Sequence, residues 1–153
     1  MEDQSIFAGF LALSFTAILI ILIWAVLSYV LTAFALYTMA KNDGANDAIL
    51  AFIPFLNCKV WGDLAREKFP DFLKEEAGWK VFGIYVGCFI LNFIPIIGFL
   101  AGVATLVLSI YLIYAILERY GTNAVLFTII HAITCSLFLP IHLFLIRNEP
   151  TRY

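Results

Sequence analysis

Two histidines and one cysteine close to the C-terminus are the side chains whose types and spacing best suit chemistry. His131, Cys135 and His142 lie in one apolar stretch, and at about 100° per residue a continuous helix would carry all three on one face. His131 and Cys135 are one turn apart and form a candidate pair for a soft metal. His142 is expected about 16 Å further along the axis, outside the same coordination shell. The favoured interpretation is a polar seam that hydrogen-bonds to a neighbouring helix, which predicts no bound metal and no cofactor.

The rest of the sequence carries few groups suited to catalysis. It has no nucleophile elbow, P-loop, zinc-protease helix or dinucleotide fingerprint. No aspartate or glutamate falls within the long uncharged stretches, where coupled transporters usually place an ionisable group. The acidic residues of segment 63–76 alternate with basic ones and are expected to form a solvated face. The net charge of −2 gives no basic field for nucleic acid. The sequence therefore predicts a protein that is not an enzyme and does not bind nucleic acid.

The composition indicates a chain that is solvated by lipid. Hydrophobic residues make up 63% of the 153 residues and charged residues 13%, and the mean hydropathy is +0.99. Soluble domains are about 45–50% apolar and about 25% charged. Because a chain of this length keeps much of its surface exposed, the excess apolar surface cannot all be buried in one core. We expect an all-α, polytopic helical protein of the cell membrane.

Uncharged stretches separated by polar turns predict where the helices lie. A first crossing is expected over about 6–40, retained rather than cleaved as a signal peptide because no basic residue precedes it. The stretch 48–62 is short and interrupted by Pro54, which predicts a re-entrant or interfacial helix. The charged segment 63–80 predicts an amphipathic piece on the surface. Three further crossings, which make four in all, are expected over about 78–93, 98–118 and 124–146.

Proline, asparagine and glycine residues mark the predicted corners and contacts of these helices. The corners are expected at Pro54 with Asn57, at Asn92 with Pro95 and Gly98, and at Pro140. An amide or a small residue at such a corner satisfies the backbone groups that proline frees where water is scarce. The three proline-containing stretches look alike, either as an internal repeat or by the chance similarity of apolar sequence. The G-x-x-x-G spacing, typical of close helix packing, occurs at Gly83 with Gly87 and at Gly98 with Gly102.

The basic residues predict the orientation. Six of the nine lie between the first and second long apolar stretches, and Arg119 lies in the turn before the last one. With four crossings, loop 41–80 and Arg119 face the cytoplasm. Arg147 and Arg152 then lie outside together with both termini. An odd number of crossings would reverse one end.

Three short motifs resemble a known family. Lys41 and Gly44 stand in a turn before an apolar run that ends in Ile-Pro-x-x-Asn at residues 53–57. Residues 94–97 supply a second Ile-Pro hairpin, and residues 119–121 a charged-aromatic-glycine turn. From about residue 41 to 146 the chain resembles small polytopic membrane proteins of bacteria and archaea, catalogued as a domain of unknown function. The resemblance implies a multi-pass membrane protein. Similar segments fused to signal peptidases imply a connection with the secretion apparatus.

Three functions are compatible with these patterns. The favoured hypothesis is a non-enzymatic subunit or scaffold of a membrane complex, whose partners are membrane lipid and another membrane protein or a second copy of the chain. The alternative is an oligomeric pore or passive transporter of small solutes, with broken helices lining a cavity. The third is an intramembrane enzyme that uses His131, or a metal held by His131 and Cys135.

Overall fold

The computed structural model describes residues 2–152, and their side chains from residue 9 onward. Those residues form helices and turns and no β-strand. The helices are α1 (Glu2–Asn42), α2 (Asn57–Leu64), α3 (Asp71–Lys74), α4 (Ala77–Leu91), α5 (Pro95–Tyr120), α6 (Ala124–Ile133) and α7 (Leu139–Ile146), with 3₁₀ turns at Ala48–Phe52 and Arg66–Lys68. The all-α class predicted from the sequence is therefore confirmed.

Helix α1 is much longer than the bundle that it joins. Its 41 residues rise about 60 Å. Along residues 9–27 nearly every side chain is exposed, whereas Leu36 and Met39 near the other end are fully buried. Among the described residues, α1 and α5 are the two helices long and apolar enough to cross a membrane. The four such helices that the sequence predicted are not found in the part of the chain that the structure describes.

Helices α4 and α5 form an antiparallel hairpin. Helix α4 ends at Leu91 and α5 begins with Pro95 at its first turn, where proline loses no hydrogen bond. A Cβ on Gly98 would lie 2.8 Å from the Asn92 carbonyl oxygen, so only glycine lets the chain turn this tightly. The Asn92 side chain donates a 2.8 Å hydrogen bond to the Cys88 carbonyl and so satisfies the end of α4.

The last apolar stretch is not the single helix that the sequence predicted over about 124–146. Helix α6 stops at Ile133, and Cys135 and Ser136 adopt left-handed backbone conformations (φ 49° and 59°). Pro140 then lies in the first turn of α7 rather than kinking a continuous helix. We name residues 124–146 the second broken segment.

This segment folds back on itself. The rings of Phe127 in α6 and His142 in α7 lie 4.5 Å apart, and α7 packs against α1. The backbone N–H of Arg152 donates to the carbonyl of Arg119 at 3.1 Å. The sequence placed Arg147 and Arg152 on the side opposite the Arg119 turn, whereas in the structure Arg152 lies against Arg119, because the two left-handed residues reverse the chain direction.

Residues 48–64 form the first broken segment. Its two ends also lie at the same end of the bundle. The chain descends beside α1 as far as Phe52, whose carbonyl accepts a 2.9 Å hydrogen bond from the Tyr29 hydroxyl. Phe55 has a left-handed φ of 68°, and α2 leads back. The sequence predicted one interrupted helix over 48–62, and the structure has a 3₁₀ turn and a short helix there. The Asn57 backbone N–H, rather than its side chain, closes the corner by donating to the Ile53 carbonyl at 3.1 Å.

Helices α2 and α4 approach each other closely at two glycines. A Cβ on Gly62 would lie 2.8 Å from the Gly78 Cα, and one on Gly78 would lie 2.3 Å from an Asp63 carboxylate oxygen. By contrast, a Cβ on each glycine of the predicted pair Gly83 and Gly87, or on Gly102, would meet no other atom within 4 Å. Packing through Gly83 and Gly87 within the chain is therefore not observed.

Candidate functional site: a polar seam between two broken segments

Charged side chains gather at one end of the bundle, which we call the polar cap (residues 41–47, 59–80, 118–123 and 147–152). Ion pairs hold its separate pieces together. Lys68 forms an ion pair with Glu118 at 2.9 Å. Two hydrogen bonds add to it: the Tyr111 hydroxyl donates to the Lys68 carbonyl, and the backbone N–H of Arg152 donates to the Arg119 carbonyl. The sequence predicted a solvated charged face over residues 63–76, and most of the charged side chains there are exposed. The cap also ties the loops to the ends of the long helices.

A buried arginine lies at the centre of the polar cap. Arg119, of which 4% is exposed, donates to both carboxylate oxygens of Asp43 at 2.5 and 3.1 Å and to the Leu64 carbonyl at 3.1 Å. A planar guanidinium matches a carboxylate in this two-bond geometry, which strengthens and orients the pair. The pair joins the ends of α1, α2 and α5, so its role is structural.

Lys59 provides a second anchor in the cap. It is largely buried, pairs with Asp47 and lies 2.7 Å from Asp63. Burial lowers the pKa of Lys59, but the hydrogen bonds and charges of the two carboxylates outweigh that effect, so the pKa lies above its ordinary value of 10.5. Asp63 also accepts the Gly78 N–H at 3.0 Å. Through Asp63, the charged Lys59 therefore links the first broken segment to α4.

The two histidines contact each other directly. His131 Nε2 and His142 Nδ1 are 2.8 Å apart, so one ring donates its N–H to the other. The expectation that His142 lies too far away to share a site with His131 is wrong, because the helix between them is broken and folded back. Cys135 lies at the turn and is exposed. Among residues 9–152 no group of three or more metal-ligating side chains is assembled.

Two polar atoms beside the histidine pair lack partners. His131 is 2% exposed and Thr128 is 8% exposed. The Nδ1 atom of His131 and the Oγ1 atom of Thr128 are buried, and neither has a hydrogen-bond partner in the described chain. A buried polar group without a partner costs about 1–3 kcal/mol. Both residues line a cavity of about 420 Å³ between α5 and α6.

The two broken segments meet in the interior. A cavity of about 290 Å³ is lined by Asn57 and Cys58 from the first segment and by Ser136 and Leu139 from the second. Ser109 of α5 lies on the wall shared with the larger cavity. We call the hydroxyl, amide and imidazole groups that line these two cavities the polar seam: Asn57, Thr105, Ser109, Thr128, His131 and Ser136. It also includes Tyr85, whose hydroxyl is 2.8 Å from the Ser109 hydroxyl.

A third, more apolar cavity lies against α4 and shares Cys58 and Tyr85 with the cavity where the two broken segments meet. Its volume is about 430 Å³, and its wall includes Phe55, Phe82 and Phe89 together with the predicted corner residue Asn92. Phe55 stands beside Pro54, so the first proline corner helps to shape this cavity. Of the predicted corner residues, Asn57 and Asn92 line these cavities, whereas Gly83 and Gly87 do not line any of those described here.

Several residues of the polar seam were not singled out in the sequence. Tyr85 and Ser109 meet across the α4–α5 hairpin, and Thr128 lies on the next helix, which packs against α5. No short-range spacing encodes this arrangement. The close Gly62–Gly78 approach was missed for the same reason, since the two glycines belong to different helices. Pro54 and Pro140 were the available signals in the sequence, since each lies within four residues of a left-handed residue.

Comparison with known proteins gives no relative that would identify the seam: no family model, curated protein or solved structure matches the chain. The chemistry of the seam itself is that of neutral hydrogen-bonding groups in apolar surroundings. Such groups bind and orient a polar atom of a ligand or a solute.

Proposed function

We propose that the chain is a multi-pass integral membrane protein that works as a non-enzymatic subunit or scaffold of a membrane assembly. The supporting observation is the uncovered part of α1. Its apolar side chains at residues 9–27 contact almost nothing else, while the same helix is anchored in the core by Leu36 and Met39. A soluble monomer rarely leaves so large an apolar surface in water. Lipid and a neighbouring helix are suitable partners for it.

The charge distribution supports an orientation. All nine basic residues belong to the polar cap or its edge, so the positive-inside rule places the cap in the cytoplasm. Helices α1 and α5 then cross the membrane, the shorter α4 and the corner at residues 92–94 carry the chain back between them, and both broken segments enter the bilayer from the cap and return. This proposal puts the C-terminus in the cytoplasm, opposite the N-terminus, whereas four crossings would put both termini outside.

Site-specific photocrosslinking in native membranes tests the subunit role. A photoreactive phenylalanine analogue at Phe15, in the uncovered stretch of α1, is expected to form a protein adduct. The matched control is the same replacement at Phe72, which is 75% exposed but lies in the polar cap. Adducts at Phe15 with lipid alone, together with a strictly monomeric and partner-free species in mild detergent, would count against the proposal.

A passive pathway for small solutes is the second candidate. The observation that favours it is the meeting of two broken segments at the polar seam, since interrupted helices line the binding sites of many transporters. Reconstituted vesicles should then release small neutral solutes faster than empty vesicles. Equal rates for several solutes would remove this candidate without affecting the subunit role.

A further inference from the structure

The cavity between α5 and α6 has the shape of a groove, which we call the α5–α6 groove. Its α5 wall runs from Gly102 to Ile113, eleven positions or about 16 Å at the rise of an α-helix. The exposed residues Leu106 and Cys135 stand on its walls, so the groove is accessible from the apolar flank of the bundle. Its long direction follows α5.

The two ends of the groove differ chemically. Thr128 lies in the second turn of α6, close to the polar cap, and His131 follows one turn later. Both present an unpartnered buried atom. At the other end Gly102 leaves open space, since a Cβ there would meet nothing within 4 Å. The groove therefore has its unpartnered hydrogen-bonding groups toward the cap and a roomy, mainly apolar end away from it, where the hydroxyls of Thr105 and Ser136 already donate to backbone carbonyls.

We propose that the α5–α6 groove binds a single-chain amphiphile, a fatty acid or a long-chain alcohol, with its head group hydrogen-bonded to Thr128 and His131 and its tail extending toward Gly102. A hydroxyl or a protonated carboxyl can both donate and accept, which suits a threonine hydroxyl beside a neutral imidazole. The volume of about 420 Å³ is within the range of small-molecule sites. A tail parallel to α5 would also be parallel to the acyl chains of the surrounding bilayer.

This ligand goes beyond the proposed subunit role and rests on the membrane placement proposed with it. Water is the competing occupant, because it also satisfies orphaned polar groups in a cavity of sufficient size. The two occupants predict different effects of filling the apolar end of the groove. Blocking that end excludes an extended tail but leaves water beside Thr128 and His131 undisturbed.

The test uses the full chain in phospholipid vesicles and two photoreactive probes, diazirine-bearing palmitate and the corresponding long-chain alcohol. Crosslinked peptides are mapped by mass spectrometry, and unlabelled competitor gives the affinity. We expect adducts on α5 between residues 102 and 113 and on α6. The two probes show which head group the site prefers. Absence of groove adducts for both probes would overturn the proposal.

Two pairs of variants sharpen the test. Thr128→Val removes the unpartnered hydroxyl and should weaken binding about threefold to tenfold, the value of one hydrogen bond. Thr105→Val is its control, because Thr105 lines the same groove but its hydroxyl already donates to the Ala101 carbonyl. Gly102→Leu should abolish groove labelling, whereas Gly83→Leu, at an equally open glycine of α4, should leave it unchanged.

The outcomes separate the two proposals. Labelling that is unaffected by Thr128→Val and Gly102→Leu would show that the probes bind elsewhere and that water alone occupies the groove. A chain that leaves the membrane on alkaline extraction would contradict the membrane placement. A chain that stays in the membrane without groove labelling contradicts only the ligand site.

Discussion

His131 and His142 are hydrogen-bonded at 2.8 Å although eleven residues separate them. On a continuous helix they would stand about 16 Å apart. The contact exists because Cys135 and Ser136 turn the backbone into the left-handed region and α7 returns beside α6. The hydrogen bond between the two rings thus links α6 to α7 and stabilises the folded-back path of the second broken segment.

Replacing one histidine should remove this hydrogen bond and destabilise the second broken segment. His142→Phe keeps a ring of similar size against Phe127 but leaves His131 without any partner, so the variant should lose about 1–3 kcal/mol of stability. Replacing both histidines by phenylalanine should cost less than the sum of the two single replacements. Unfolding of the purified protein in detergent measures both effects. Strict additivity would show that the hydrogen bond does not stabilise the fold.

The Asp43–Arg119 pair should be the most sensitive ion pair in the polar cap. Asp43→Ala leaves the buried Arg119 guanidinium uncompensated, which costs about 3–5 kcal/mol in comparable buried pairs. The control is Asp71→Ala, because Asp71 is nearly fully exposed and pairs with Lys74 within one helical turn, where ion pairs contribute little. Equal melting temperatures of the two variants would contradict the central position of Arg119.

Two glycines of α4 should respond in opposite directions to alanine. Gly78→Ala places a Cβ against Asp63 and the Lys59 carbonyl, so α2 and α4 must separate and the melting temperature should fall. Gly83→Ala adds a Cβ in open space and should stabilise the helix by about 0.5–1 kcal/mol. A Gly78→Ala variant as stable as the wild type would show that the Gly62–Gly78 approach is looser than described.

Lys59 should make stability depend on pH in the alkaline range. Since its pKa is raised by Asp47 and Asp63 despite burial, its stabilising effect is complete below the unfolded-state pKa of about 10.4 and is lost as the pH rises through the higher folded-state value. The stability difference between the wild type and Lys59→Met should therefore be constant up to about pH 9.5 and shrink above it. A difference that stays constant to about pH 12 would contradict the ion pairs.

The sequence predicted the local structure of the chain better than its connections. The all-α class follows from uncharged stretches of helical length, and the α4–α5 corner follows from Asn92, Pro95 and Gly98, which act on their own neighbours. The membrane setting and the number of crossings remain proposals, supported by the two long apolar helices.

The path of the last stretch was not predictable in the same way. Residues 124–146 have the length and hydropathy of a crossing, and Pro140 alone allows either a kink or a first helical turn. Whether a kink or a new helix forms depends on the tertiary contacts of His142 with α6 and of Leu143 with α1. The local sequence pattern gives no information about these contacts. The sequence predicted a polar seam on the histidine face but not its other members, Ser109 and Tyr85, since they are far from the histidines in sequence.

The sidedness of the C-terminal tail tests the account most directly. In a background with Cys58, Cys88 and Cys135 replaced by serine, single cysteines are introduced by Asn46→Cys and Asn148→Cys, both at exposed positions. A membrane-impermeant maleimide is then applied to sealed vesicles of known orientation, with Phe93→Cys at the α4–α5 corner as the opposite-side control. Labelling of Asn46→Cys and Asn148→Cys from the same side is the predicted result. Labelling from opposite sides would show that residues 124–146 cross the membrane and would contradict the folded-back second broken segment.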